Sequence, residues 1–458
     1  MLISSSIAKL GSRAPRLRHK VCWLSLAIAA GSLVLLLFVP GRALGQAKIP
    51  DTPAGKTLQA LLDALNSGDR AKMEDYVHRF DPSLPVEQMR TVYDDTGGFD
   101  LIAIDASDPL LLVFRVKEKK SDSAWIGTLQ LKDAQTGTVE SVGLHPAPAE
   151  AVIESIQLDA AYRQRIIEGI SKSLKELYVY PEIGQKMVDA LSDHLKRGDY
   201  DAITNGDVLA FHLTQDLLDV SHDKHLHVHF SATKLGPMNR TPTQEDKARI
   251  RKHLESENCG FQKLEILPHN IGYLKLSMFA YVDLCGPTAA AAMNFLAHVN
   301  AIIFDVRENS GGDPKMVQFI DSYLFDTLTH LDDLYDRNED ATTQYWTLPY
   351  LPGDRMPDTP VFVLTSSEDV SAPEAFAYEL KNLKRATIVG ETTGGGAHTA
   401  DPVRLDDHFS MGVPEGRMIN PVTKTDWEGV GVEPDVKVKA ADALEEAERL
   451  AISKLPAD

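Results

Sequence analysis

Val363-Leu364-Thr365-Ser366-Ser367-Glu368-Asp369-Val370-Ser371-Ala372-Pro373-Glu374 carries more of this chain's meaning than any other stretch. Val361–Leu364 is a short apolar run that reads as a buried strand, and it ends in a polar turn. A helix starts near Ala372, with Phe376 and Leu380 as its apolar face. Ser371 and Glu374 have capping-box spacing, and Pro373 suits a first helical turn. Two roles stay open for Ser371. It can cap the helix, or it can use the free N–H groups and positive dipole end beside it as an acyl-transfer nucleophile does.

Outward from this stretch the pattern repeats. Ile271–Leu276, Ala301–Val306 and Ala386–Val389 are further short strand candidates, each followed by a loop and a helical or glycine-rich segment. Strands and helices that alternate in this way predict an α/β layered core. Asp305-Val306-Arg307-Glu308-Asn309-Ser310-Gly311-Gly312 ends one strand in paired glycines. Such glycines either make a tight turn or let the backbone aim N–H groups at a substrate oxyanion. Glu391-Thr392-Thr393-Gly394-Gly395-Gly396 is a second turn of this kind. Upstream, Ser221-His222-Asp223-Lys224-His225-Leu226-His227-Val228-His229 alternates histidines, so on a strand His225, His227 and His229 share one side. Three readings stay open there: a polar strand face, a general base for a serine, or ligands for zinc.

The other segments are plainer. Leu158–Leu218 carries helical stripes at Ile166, Ile170, Leu174 and Leu177, then at Ile183, Met187, Leu191 and Leu195, with Tyr180-Pro181 between them. A third helix holds Phe211, Leu213 and Leu217, which makes a small helical bundle. From Thr52 to Pro146 one helix (Leu58, Leu61, Leu62, Leu65) precedes strands at Leu110–Val116, Trp125–Leu131 and Val139–Leu144. That order, with the phrase Leu65-Asn66-Ser67-Gly68-Asp69, resembles the nuclear-transport-factor-2-like α+β fold and predicts an accessory domain. At the N-terminus, Lys9, Arg13, Arg16, Arg18 and Lys20 precede an uncharged run from Val21 to Val39 and then Ala43-Leu44-Gly45. This is the pattern of an export signal, and the run is long enough to anchor in a membrane if retained. The expected division is 1–45 signal or anchor, 50–148 α+β accessory domain, 155–230 helical bundle with the histidine motif, and 262–445 core. In an exported chain Cys259 and Cys285 remain, either as a pair or as two buried thiols. With 47 basic against 66 acidic residues the formal charge is −19, which argues against nucleic acid as a partner.

Taken in order, Asp-x-Arg-x-Asn-x-Gly-Gly, Ser-Ala-x-Glu after Thr-Ser, and Val-Gly-Glu-Thr-Thr-Gly-Gly-Gly resemble the carboxyl-terminal-processing (tail-specific) serine peptidases. The likeness is to the branch of the tricorn core and interphotoreceptor retinoid-binding protein, and it runs over about residues 158–440, including Leu177-Tyr178-Val179-Tyr180-Pro181. The resemblance implies a crotonase-like ββα core, Ser371 as nucleophile, and an oxyanion hole from N–H groups of Gly311, Gly312 and Ala372. Gly396 stands where the tail-specific branch has its lysine base. The tricorn-like branch instead implies His225, from Asp223-Lys224-His225, as base. It implies Glu428, from Glu428-Gly429-Val430-Gly431-Val432-Glu433-Pro434-Asp435, as the acid that orients the imidazole or helps polarise the site. Ser221 is a nearby candidate for that branch's supporting serine.

Relatives place a PDZ domain between helical segment and core, whereas Phe230 to Gly272 leaves about forty residues, too few for an ordinary domain. The expectation is an exported serine peptidase acting on peptides or unfolded protein, without cofactor or metal, periplasmic, secreted or membrane-anchored, with a homo-oligomer left open. The alternatives are a carrier of lipophilic ligands on the same fold and a zinc hydrolase built on His225, His227 and His229.

Overall fold

Thr52 begins the first ordered element by accepting the Gly55 N–H on its hydroxyl at 3.1 Å, and Gly68 ends it in the left-handed region at φ 63°. Between them α1 (Pro53–Ser67) buries Leu58, Leu61, Leu62 and Leu65, each contributing about 1.5–3 kcal/mol by leaving water. The computed structural model describes residues 48–455 except 83, 122, 147–155, 157 and 239–242. The segment read as signal or anchor lies outside the described residues. Among those described, no helix is long and apolar enough to cross a membrane.

The chain divides into two compact units, with the boundary after Glu154. In the first, α1 is followed by α2 (Arg70–Phe80) and α3 (Val86–Thr96), then by an antiparallel meander β1 (Phe99–Ser107), β2 (Leu111–Glu118), β3 (Ala124–Asp133) and β4 (Thr138–Pro146). The last three strands match the sequence expectation, whereas α2, α3 and β1 were not anticipated. The reasons are local. Helix α2 buries only Met73 and Tyr76, and β1 carries two register shifts that break its alternation.

The second unit opens with α4 (Ala160–Leu177), α5 (Pro181–Arg197) and α6 (Gly206–Ser221), followed by β5 (His227–Phe230) and α7 (Gln244–Ser256). Then come β6 (Phe261–Leu267), β7 (Ile271–Leu276), α8 (Val282–Phe295), β8 (Ala301–Asp305) and α9 (Pro314–Asp321). The chain continues through β9 (His330–Asp336), β10 (Ala341–Trp346), β11 (Val361–Thr365), α10 (Ala372–Asn382) and β12 (Ala386–Gly390). It finishes with β13 (His398–Arg404), β14 (Phe409–Ile419), β15 (Val436–Lys437) and α11 (Ala443–Lys454).

Two sheets organise this mixed α/β unit. One has the order β15-β12-β11-β8-β7-β6, parallel except for β6, with Val363 facing Phe304 on one side and Ile388 on the other. Strands β8 and β11 are wholly buried because both faces are covered. Ile303, Phe362 and Leu364 pack with Ala443, Ala447 and Ala451 of α11, while Ile302, Phe304, Val361 and Val363 pack with the cluster that holds Phe376 and Leu380. The second sheet runs β10-β9-β14-β13, with β5 also paired to β14. Phe409, Met411 and Val413 of β14 share one buried cluster with Ile166, Ile170, Leu174, Met187, Leu191, Leu213 and Leu217, so the helical stripes read in the sequence close on this sheet. Cys259 and Cys285 form a disulfide, with Cα atoms 5.7 Å apart, tying the start of β6 to α8.

Candidate active site

Parallel strands β8, β11 and β12 are neighbours, so the loops at their C-terminal ends emerge side by side, where open α/β sheets place their sites. They are the three polar turns singled out in the sequence.

Ser371 sits at the N-cap of α10 with φ 74° and ψ −121°, a conformation rare for a residue with a side chain. Its own N–H donates to Glu374 at 2.9 Å, which forms the reciprocal half of a capping box. The Glu374 N–H lies over both Ser371 oxygens, donating to the carbonyl at 2.9 Å and completing the box toward the hydroxyl, which accepts there and keeps its own proton uncommitted.

Glu374, fully buried, explains why the serine stretch and the second glycine turn lie together. One carboxylate oxygen accepts from Thr393 Oγ1 at 2.5 Å and Gly395 N at 2.7 Å, the other from Gly396 N at 2.8 Å and Ser371 N. Burial raises its pKa even so, with the four donors working against that rise.

The first glycine turn is braced by its own motif. Arg307 pairs with Asp305, which also accepts from the Tyr273 hydroxyl at 2.6 Å. Asn309 donates to the Leu276 carbonyl at 2.9 Å and accepts from the Gly311 N–H at 2.9 Å. That N–H is therefore engaged within the turn. Gly312 (φ 143°) lies so close to Phe279 that a Cβ would meet its carbonyl oxygen at 1.9 Å, and no hydrogen bond to another described residue uses the Gly312 or Ala372 N–H. Of the three expected oxyanion donors, those two are disengaged.

His225 lies in the turn between α6 and β5, so His225, His227 and His229 do not share one strand; β5 begins at His227. His227 is buried, and burial lowers its pKa to about 4. The His225 ring approaches the second glycine turn: a Cβ on Gly396 would sit 3.0 Å from His225 Cε1 and 2.7 Å from Val370 Cγ1, next to Ser371. Lys224 donates to the Gly394 carbonyl at 2.6 Å. The Ser221 hydroxyl is turned back to the Leu217 carbonyl at 2.9 Å and accepts from Asp223 N at 3.1 Å.

Glu428 is half-buried in the loop after β14. Trp427 anchors that loop by donating from Nε1 to the Gly396 carbonyl at 3.0 Å. Glu428 Oε2 accepts from Ala397 N at 2.6 Å and His398 N at 3.2 Å, and lies 3.6 Å from His398 Nδ1. Its hydrogen bonds thus go to the segment of His398 rather than to His225. Burial raises its pKa, and the nearby Asp223 charge adds to that against the His398 imidazole.

Sequence reasoning missed His398 and the part played by Asp223. Asp223 is wholly buried. Its Oδ2 pairs with His398 Nδ1 at 2.6 Å and accepts from the Tyr178 hydroxyl at 3.0 Å; its Oδ1 accepts from the His225 N–H at 3.0 Å and lies 3.5 Å from His225 Nδ1. Burial works to raise its pKa, but the His225 and His398 imidazoles hold it below the usual carboxylate range. The His398 pKa is raised, since Asp223 outweighs the opposing effect of burial. His398 lies two residues past the glycine run and 175 residues from Asp223, so no local spacing could have paired them. Among the described residues, Asp223, His398 and Glu428 are the one set of three metal-ligating groups whose ligand atoms lie within 4.8 Å of one another; the three histidines of the motif are not such a set.

Residues 270–438 match the family described as peptidase family S41, and residues 149–262 match the N-terminal domain of Peptidase_S41 in eukaryotic IRBP. The chain is 30% identical over 216 residues to carboxyl-terminal-processing peptidase 2, chloroplastic, of Arabidopsis thaliana, covering 44% of this chain and 39% of that protein. It is 24% identical over 195 residues to carboxy-terminal processing protease CtpB of Bacillus subtilis, covering 42% and 39%. The matched stretch thus spans about two fifths of each of these relatives. Among solved structures, the photosystem II D1 C-terminal processing protease aligns at 15% identity and TM-score 0.38 over 61% of this chain and 93% of that one. The tricorn protease aligns at 11% identity and TM-score 0.40 over 77% and 41%. Likeness at that level says nothing about chemistry. The family matches, which between them take in both the helical segment and the three polar turns, give the chain a peptidase family S41 domain preceded by an N-terminal S41 domain.

Proposed function

We propose that this chain is an exported serine peptidase that cleaves peptides or unfolded protein through an acyl-enzyme formed on Ser371. The observation that carries the reading is Ser371 itself, held at a strained helix N-cap where its hydroxyl proton is not donated to any described residue, beside a glycine turn that the His225 imidazole also approaches. In this scheme Ser371 Oγ attacks the peptide carbonyl carbon as its proton passes to His225 Nε2. The oxyanion is met by the N–H groups of Gly312 and Ala372, helped by the α10 dipole. The C–N bond breaks, His225 returns the proton to the leaving amine, and water then releases the acyl group by the same exchange. Glu428 contributes negative charge at the edge of the site. Gly311 serves by shaping the turn.

The S41 domain and relatives named as carboxyl-terminal-processing peptidases support this class of reaction, and the core is best described as crotonase-like. Among the described residues, the region between β5 and β7 holds helix α7, strand β6 and two short helical turns, which supports substrate selection without a PDZ domain. Export fits the Cys259–Cys285 disulfide together with the basic and apolar N-terminal segment.

The test is fluorophosphonate labelling of the full chain with mass-spectrometric site mapping. Labelling at Ser371 that vanishes in Ser371→Ala and falls at least about tenfold in His225→Ala supports the reading. A folded protein that stays unlabelled refutes it and turns attention to lipophilic-ligand binding.

A further inference from the structure

We propose that Asp223, rather than Glu428, orients the His225 imidazole, and that His398 is the positioning residue that holds Asp223 in place. This deepens the peptidase reading and rests on it for its catalytic meaning. The geometry carries it. His225 Nδ1 is buried without a hydrogen-bond partner, and Asp223 Oδ1 is the carboxylate oxygen 3.5 Å away. Catalytic hydrogen bonds run long in the absence of substrate and tighten in the complex, so this gap is within closing range. Glu428 Oε2, by contrast, is engaged with two backbone N–H groups and His398, and Oε1 is buried without a partner.

Asp223 is also the better-held group. Four donors or ring nitrogens converge on it. Tyr178, at the junction of α4 and α5, and His398, at the start of β13, fix Oδ2; the His225 N–H fixes Oδ1 and leaves its remaining lone pair toward His225 Nδ1. A carboxylate held on one oxygen can aim the other, and a Nδ1–H bonded there leaves Nε2 as the acceptor for the serine proton. His398 thereby acts at one remove. Its ring also packs at 5.5 Å from that of Tyr180, which fixes the imidazole plane.

The experiment reads the His225 tautomer directly by 15N chemical shifts on the full chain labelled in histidine, with assignment by His225→Ala. The wild type should carry its proton on Nδ1. Asp223→Asn should shift the population to the Nε2–H tautomer and lower the Ser371 labelling rate about a hundredfold, while Glu428→Gln keeps the Nδ1–H form. His398→Ala should give a mixture of tautomers and His398→Gln, whose amide can still donate to Asp223, should restore the wild-type form. A wild-type proton on Nε2, or a tautomer lost in Glu428→Gln and kept in both Asp223→Asn and His398→Ala, overturns the proposal. The tautomer does not depend on activity, so failure of the peptidase reading would show as absent labelling beside an intact Nδ1–H signal.

Discussion

Asp332 offers a sharp test of the core that supports α10. It lies on β9 with no exposed surface; one oxygen accepts the Asp333 N–H at 2.9 Å, and the other has no partner. Burial, with the nearby Glu379 charge, pushes its pKa up to about 8 from an ordinary 3.8. The sign follows from linkage. Below about pH 4 the carboxyl is neutral in both states and contributes nothing adverse. Above that the unfolded chain ionises while the folded one keeps its proton, so stability is lost as pH rises toward 8. The loss is about 1.4 kcal/mol per pH unit, or about 4 kcal/mol by pH 7. Asp332→Asn removes this dependence, less about 1–3 kcal/mol for an amide N–H left without an acceptor. The variant should therefore be less stable than wild type near pH 4 and more stable by about 1–3 kcal/mol at pH 7. Calorimetric melting of both proteins at steps from pH 4.5 to 7.5 measures the difference. A stability difference that stays flat across that range would refute the reasoning.

Three further outcomes are expected. Reducing the Cys259–Cys285 disulfide, which closes a loop of 26 residues, should lower the stability of the second unit by about 3 kcal/mol, read as a drop in its melting temperature that a Cys285→Ser variant reproduces without reductant. Glu374→Gln turns an acceptor of four donors into one that faces some of them with its own N–H; a loss of about 2–4 kcal/mol and of Ser371 labelling should follow, and a stable, labelled variant would contradict the role assigned to that carboxylate. Gly396→Ala should cut Ser371 labelling at least about tenfold while costing about 1–3 kcal/mol of stability in urea titration.

What the sequence made legible was what spacing records. Ile271–Leu276 is β7 residue for residue, and the helix expected near Ala372 starts there, because apolar run length and cap chemistry are local signals. The helical stripes were read correctly for the same reason. Asp223, His398 and Tyr178 were not assembled because their meeting depends on three tertiary placements: Tyr178 after α4, Asp223 after α6, and His398 where β13 joins β14. Glu374 shows the opposite limit. Its capping-box spacing was read locally, yet most of its hydrogen bonds go to Thr393, Gly395 and Gly396, about twenty residues on.

Gly396 ties these strands of argument together. Where the tail-specific pattern calls for a lysine, this chain has glycine, and the reason is space rather than backbone conformation. Gly396 does not adopt positive φ, so an alanine there meets no torsional penalty. A Cβ would nonetheless fall 2.7 Å from Val370 Cγ1, closer than real Cβ contacts come, and 3.0 Å from His225 Cε1, tighter than most. The Gly396 N–H is bound to Glu374 and its carbonyl to Trp427, so the glycine backbone has little room to shift away from those two side chains. Val370 must shift and the His225 ring must give with it, and on the proposed mechanism a movement of about 1 Å takes the imidazole out of reach of Ser371. A side chain at 396 and an imidazole at this place are therefore alternatives. On the proposed mechanism, a lysine in the turn and a histidine from the α6–β5 loop would compete for one volume beside Ser371.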